Sequence, residues 1–215
     1  MDSGALTAIC LPAPQAAVAV VAAWDQGRAV CPLDPRSPLP ERERVLAAVR
    51  PTALLDGDGH HDLGGGEPVP AGVAVVVATS GTTGEPKGVE LTAAGLIASA
   101  RAASEAVGAG PGDRWLCCLP LHSVGGLSVL ARGWVTGLPV DVVDRFHPGA
   151  LATTPANLVS LVPTMVWRCL DAGVALERFS RILVGGAALG PDVRARAEAA
   201  GASITATYGM TETWG

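Results

Sequence analysis

The chain has 215 residues, a formal net charge of −5, few aromatics and nearly half its residues apolar. That length is enough for one core or two small ones. A mildly acidic chain without basic clusters argues against a nucleic-acid or anionic-membrane surface, and no apolar run approaches the ~20 residues that span a bilayer.

Residues 5–10 read as a short strand. Pro14 opens an Ala/Val-rich helix that stops at Gly27, and residues 29–33 read as a second strand closed by prolines. Ser37 and Pro38 stand where a cap and first turn belong, ahead of a helix over 41–50 that Pro51 ends. A strand over 53–56 follows, and residues 57–70, rich in Gly, Asp and Pro, read as loop. His60 and His61 fall in that loop with no second cluster at metal-ligand spacing, so a solvated loop is the better reading. Residues 73–78 have the length and valine content of a buried strand. Further on, Thr92 caps a helix to about Val107, a strand covers 115–119, and a helix covers 126–134. Strands over 140–143, 158–162, 181–184 and 204–207 are separated by helices around 164–170 and 191–200. Helix alternating with strand predicts an α/β fold of layered, mainly parallel sheets flanked by helices. Five scattered cysteines with no CxxC pair fit reduced, partly buried thiols of a cytoplasmic protein, with no activating base beside them. The N-terminus has no basic region ahead of its apolar stretch, which argues against a signal peptide.

The apolar run over 73–78 leads into Thr79-Ser80-Gly81-Thr82-Thr83-Gly84-Glu85-Pro86-Lys87-Gly88-Val89. Glycines let the backbone approach a ligand, successive amides in such a turn form an anion nest, and hydroxyls and Lys87 add donors and charge. The composition suits a polyphosphate. It is not the common P-loop, which needs glycine before the lysine and Ser or Thr after it, where Pro86 and Gly88 stand here. Downstream, Gly185-Gly186-Ala187-Ala188-Leu189-Gly190 forms a small-residue turn at a strand's C-terminal end, where an α/β sheet receives ligand. Tyr208-Gly209-Met210-Thr211-Glu212-Thr213 follows the last strand. Tyr208, the chain's one tyrosine, offers an aromatic face to a base, and Glu212 a hard oxygen ligand suited to Mg²⁺.

The first stretch closely resembles the phosphate-binding signature of the adenylate-forming superfamily, which includes acyl- and aryl-CoA ligases, luciferases and peptide-synthetase adenylation domains. The superfamily's second signature is matched by residues 208–213, in the right order. The resemblance implies an ATP site built from Thr79, Ser80, Gly81, Thr82, Thr83, Gly84 and Lys87, from Gly186, Ala187 and Ala188, and from Thr207, Tyr208, Gly209, Met210 and Thr211. Lys87, Thr211 and Glu212 would be its catalytic members, with Glu212 on Mg²⁺. The implied chemistry is attack of a substrate carboxylate on the α-phosphorus of ATP, loss of pyrophosphate, and transfer of the acyl group to the thiol of coenzyme A.

Residues 119–132, Leu-Pro-Leu-His-Ser-Val-Gly-Gly-Leu-Ser-Val-Leu-Ala-Arg, resemble the acyl-pocket motif of the 2-succinylbenzoate–CoA ligases of menaquinone biosynthesis, and residues 160–164 resemble their pocket-lining segment. The small-molecule acid would lie against His122, Ser123, Gly126, Arg132, Ser160 and Gly185. Arg132 is the one charge in a long apolar stretch and could face a second carboxylate; the plainer reading is an arginine whose head reaches water at a helix end. In one departure, His122 stands where many members have an aromatic residue and Ser123 where they have histidine. A packed histidine is as good a reading of His122 as a pocket residue.

The resemblance covers about residues 16–215, part of the family's large N-terminal domain, with two αβ subdomains expected at about 1–70, with later strands, and 71–215. The ribose-binding aspartate, hinge and lysine-bearing C-terminal domain of the family have no counterpart in these residues and are the expected partner; a homo-oligomer is left open. The alternatives are an ATP- or acyl-adenylate-binding module without chemistry of its own, and a CoA ligase for another aryl or acyl acid.

Overall fold

The computed structural model describes residues 4–80 and 85–214, Ser80 by its backbone. The chain builds two sheets. The first has six strands, β1 (Leu6–Ile9), β2 (Ala29–Pro32), β3 (Ala53–Asp56), β4 (Gly59–Asp62), β5 (Val73–Ser80) and β6 (Pro86–Thr92), in the order β4-β3-β1-β2-β5-β6. The second has five, β7 (Trp115–Cys117), β8 (Val140–Val142), β9 (Leu158–Leu161), β10 (Arg181–Val184) and β11 (Ile204–Ala206), in the order β11-β10-β9-β7-β8. All pairings are parallel except β3–β4 and β5–β6, the two edges of the first sheet.

Seven helices cover the sheets among the described residues: α1 (Ala13–Asp25), α2 (Leu39–Val49), α3 (Ala93–Ala106), α4 (Val124–Thr136), α5 (Pro148–Thr153), α6 (Pro163–Asp171) and α7 (Pro191–Ala199). The period-2 alternation of the strands decides which layer each side chain enters. Leu6, Ala8 and Cys10 face α2, whereas Ile9 faces the middle of the molecule. Trp115 and Cys117 face the middle, and Leu116 and Cys118 face the outer helices α5 to α7. The middle layer, α1, α3 and α4, packs against both sheets and shares one core with them. The result is an α/β/α/β/α stack with three apolar layers between its elements.

Several local expectations change. Residues 59–62 form a strand, not loop: β4 turns back on β3 through Gly57 and Asp58, pairing Asp56 with Gly59. His60 and His61 lie on this exposed edge; His61 Nε2 sits 3.1 Å from Asp56 Oδ1, and no cluster of three metal-ligand side chains occurs among the described residues. Thr79, Ser80, Pro86 and Lys87 belong to the β5–β6 hairpin and not to an extended loop, with Thr79 paired to Lys87. Gly81, Thr82, Thr83 and Gly84 lie outside the described residues. Helix α2 starts at Leu39, ahead of the expected start at 41, with Pro38 at its N-cap and no side-chain cap from Ser37. Thr92 does cap α3: its Oγ1 accepts the Gly95 N–H at 3.1 Å. β5 and β6 join the first sheet, so the chain passes between sheets after Thr92. All five cysteines are free and buried. No described helix is long and apolar enough to cross a membrane.

Candidate active site

A cleft of about 1040 Å³ opens at the C-terminal ends of β9, β10 and β11. Its walls come from α3 and α4, the Leu119–Pro120 turn after β7, and the turns after the three strands. Ligands of open α/β sheets bind in this position, outside the carboxyl ends of parallel strands.

The strand-end turns are shaped by close approach. A Cβ at Gly185 would lie 2.4 Å from Thr207 Oγ1, so only hydrogen fits between the two chain ends. Gly186 has a φ of +79°, a conformation that favours glycine. The Thr207 N–H donates to Val184 O at 2.8 Å, which locks the turn after β11 to β10. Gly185, Gly186, Thr207, Tyr208 and Gly209 therefore form one continuous lip. Tyr208 is 90 % exposed at the mouth, its ring open to stacking.

Deeper in, alternation along β9 and β10 turns Ser160 and Leu183 toward the cleft while Val159, Ile182 and Val184 pack on the outer helices. Arg132 enters from α4. It is only 5 % exposed and is the one charged side chain on the cleft wall among the described residues. Its guanidinium carbon lies 4.4 Å from the centroid of the Trp115 ring, and its Nε donates to Ser128 O at 2.9 Å. Its Nη1 has no hydrogen-bond partner, and neither does the buried Ser160 Oγ. Burial pulls the Arg132 pKa down to about 10, which still leaves the guanidinium charged at neutral pH. The arginine does not reach water at a helix end; it is a buried cation. A buried charge without a counterion is costly, and a cation on the cleft wall is complementary to an anion.

The remaining candidates separate. Ser123 lies on the cleft wall, half-buried, with its Oγ donating to Pro120 O at 2.8 Å. Gly126 does not line it: a Cβ there would sit 2.2 Å from Pro120 O, so this glycine seats α4 against the turn after β7. His122 faces a second, smaller pocket of about 270 Å³ with Asp34, Arg36 and Asp144. Pro120 is the wall between the two pockets. Burial lowers the His122 pKa, against an opposing pull from Asp34. Ala187 and Ala188 are exposed beyond the lip, as are Met210 and Glu212, while Thr211 is half-buried in the short 3₁₀ turn Thr211–Thr213. Thr79 is half-buried and Lys87 exposed, at the far end of the β5–β6 hairpin. Trp115 and Trp214, both on the Arg132 side of the cleft, were not expected there. Their roles arise from tertiary packing and leave no local pattern.

The chain spans half the length of one relative it matches, the probable 2-succinylbenzoate–CoA ligase of Mycobacterium tuberculosis, with 37% identity over 193 residues and 82% of this chain covered. It is also 37% identical over 149 residues to the 2-succinylbenzoate–CoA ligase of Enterococcus faecalis, covering 66% of this chain and 30% of that protein. Its fold superposes on the O-succinylbenzoate coenzyme A synthetase of Bacillus subtilis in complex with AMP, with a TM-score of 0.84 and 26% identity, covering all of this chain and 63% of that one. The same enzyme in complex with ATP and magnesium ion gives a TM-score of 0.82 at 25% identity, covering 99% of this chain and 51% of that one. The model of the family described as "AMP-binding enzyme" matches residues 64–215. The chain therefore belongs to the AMP-binding enzyme family.

Proposed function

We propose that this chain is the acid- and nucleotide-binding part of an ATP-dependent acyl-CoA ligase whose substrate is an aromatic dicarboxylate of the 2-succinylbenzoate type. One observation carries the reading: among the described residues, the one charged side chain on the cleft wall is a buried arginine, Arg132, whose Nη1 has no hydrogen-bond partner. An aromatic body suits the walls, and a carboxylate suits Arg132. The relatives named for 2-succinylbenzoate support the same choice.

The second carboxylate of the acid is the reacting one, and the strand-end lip is where it would meet the α-phosphate of ATP. A carboxylate is a poor nucleophile, so positioning and charge neutralisation must supply the acceleration. Arg132 fixes one end of the acid and thereby aims the other. Tyr208 stacks on the adenine, and Thr211 donates to the phosphate. Lys87 contributes positive charge from the β5–β6 hairpin. Glu212, an exposed carboxylate beside the Thr211 hydroxyl, fits Mg²⁺, an ion that takes one or two carboxylates and completes its shell with water and phosphate oxygens. When bound, that ion supplies charge neutralisation to the phosphates. Coenzyme A accepts the acyl group in the second half-reaction, and such an enzyme works in the cytoplasm.

The test is calorimetric binding of 2-succinylbenzoate and of a monocarboxylate of similar size to the chain and to Arg132→Ala. A loss confined to the dicarboxylate supports the reading. Equal losses for both acids assign Arg132 to folding and remove the substrate assignment.

A further inference from the structure

We propose that Trp214 is the specificity-determining wall of the cleft, setting how long an acid can lie against Arg132. Trp214 directly follows the Thr211–Thr213 turn, and its backbone adopts a φ of +65°. That conformation is uncommon for a bulky side chain and persists only where surroundings over-determine it. Here they do. The Trp214 N–H donates to Thr211 O at 3.3 Å, and the indole N–H donates to Thr92 O at 3.1 Å, at the cap of α3. The Trp214 carbonyl accepts from Ser99 Oγ on α3 and from Ser128 Oγ on α4, each at 3.2 Å.

These bonds fix the indole between α3 and α4, where it is only 4 % exposed and forms part of the cleft wall. The fit depends on Gly95, where a Cβ would lie 3.0 Å from the indole Cδ1. Ser128 also takes the Arg132 Nε on its carbonyl at 2.9 Å. One serine thus holds both the wall, through its hydroxyl, and the cation, through its carbonyl. The Arg132 guanidinium and the backbone of Trp214 are thereby tied to the same residue of α4. A rigid wall discriminates chain length, at about tenfold or more per misfit methylene or two.

This inference rests on the acid-binding reading of Arg132. Its test uses three probes on the full chain: 2-succinylbenzoate, its homologue with two further chain methylenes, and uncharged 2-naphthol. Trp214→Ala is expected to shift the ratio of the two acid affinities about tenfold toward the longer acid. Trp214→Phe keeps the ratio within about threefold, and Gly95→Ala, which crowds the ring into the cleft, shifts it the other way. An unchanged ratio in both Trp214→Ala and Gly95→Ala overturns the wall; Gly95→Ala decides alone where Trp214→Ala does not fold. If neither acid binds the parent chain, the proposed substrate class falls, and 2-naphthol decides the wall. Tighter 2-naphthol binding by the Trp214 or weaker binding by the Gly95 variant sustains it, and no change in either overturns it.

Discussion

Arg132 of α4 sits over the ring of Trp115 of β7, guanidinium carbon 4.4 Å from the ring centroid, and both side chains are buried. The ring sits against the cation and Ser128 O takes Nε, while Nη1 stays buried without a hydrogen-bond partner. A planar cation held this way is oriented before any ligand arrives, and orientation is what a lysine at this position would lose.

Arg132→Ala is expected to weaken 2-succinylbenzoate binding about 10- to 150-fold, the equivalent of a charge-assisted contact of about 1.5–3 kcal/mol. Arg132→Met should meanwhile raise the melting temperature, because replacing a buried unpaired charge by an apolar side chain of similar length is commonly neutral to stabilising. Calorimetry and thermal melts on both variants check the pair of outcomes. A lower melting temperature in Arg132→Met would show that the stack on Trp115 outweighs the desolvation.

Lys87→Ala and Glu212→Ala should each weaken Mg·ATP binding, by about tenfold at the lower end of a charge-assisted contact. Both side chains are exposed, so neither variant is expected to lose fold stability. Titration of Mg·ATP into the two variants decides it, and unchanged affinity in both would remove these residues from the nucleotide site.

His122 predicts an acid-side loss of stability. Burial lowers its pKa from the ordinary 6.5, so between the folded and unfolded values the unfolded chain binds more protons. The stability is fully present above 6.5 and is lost as pH falls from there through the depressed folded value. Urea midpoints measured from pH 7.5 to pH 5 should fall in the parent chain and fall less in His122→Gln; parallel curves would contradict this.

Burial pushes the thiols of Cys31, Cys117 and Cys118 up to about 12. The thiolate is the reactive form, so iodoacetamide at pH 8 should leave these three unlabelled in the folded chain and label them in urea. Rapid native labelling at Cys117, which packs beneath α4 with its Sγ 3.6 Å from Gly126 O, would mean that this helix lifts readily from the sheet.

Gly126→Ala should cost about 1–3 kcal/mol, the range for overpacking a filled interior. The added methyl would meet Pro120 O at 2.2 Å, a backbone atom that cannot rotate away. A urea midpoint equal to that of the parent chain would show that the turn after β7 yields at no cost.

The buried strands were legible because their apolar residues form short runs bounded by turn residues, as in β5 and β10. The two edge strands of the first sheet were not. Gly-His-His-Asp of β4 and the Pro-Lys-Gly opening of β6 carry no apolar signal, since an edge strand's side chains meet water and its identity comes from the partner strand. Helix α5, six residues long, is too short to show a period. Within the site, Arg132 stood out as a lone charge in an apolar stretch. Its partner Trp115 did not, because the contact joins a strand to a helix across a turn. His122 and Ser123 are neighbours in sequence yet face different pockets, with Pro120 as the partition. Only the coordinates separate them.

The helices of the middle layer are sandwiched, with apolar side chains of both sheets in one continuous core. Neither sheet is therefore an independent folding unit. The inner face of the first is only partly covered, by α1, until α3 arrives, and the middle helices stay half-bare until the second sheet forms. Most of the strand pairing joins distant parts of the chain, a topology that folds slowly. A cut at the crossing between sheets, after Thr92, would yield two pieces that each expose an apolar face and aggregate when made singly. Produced together in one cell, the two pieces would serve as each other's missing layer and reassemble.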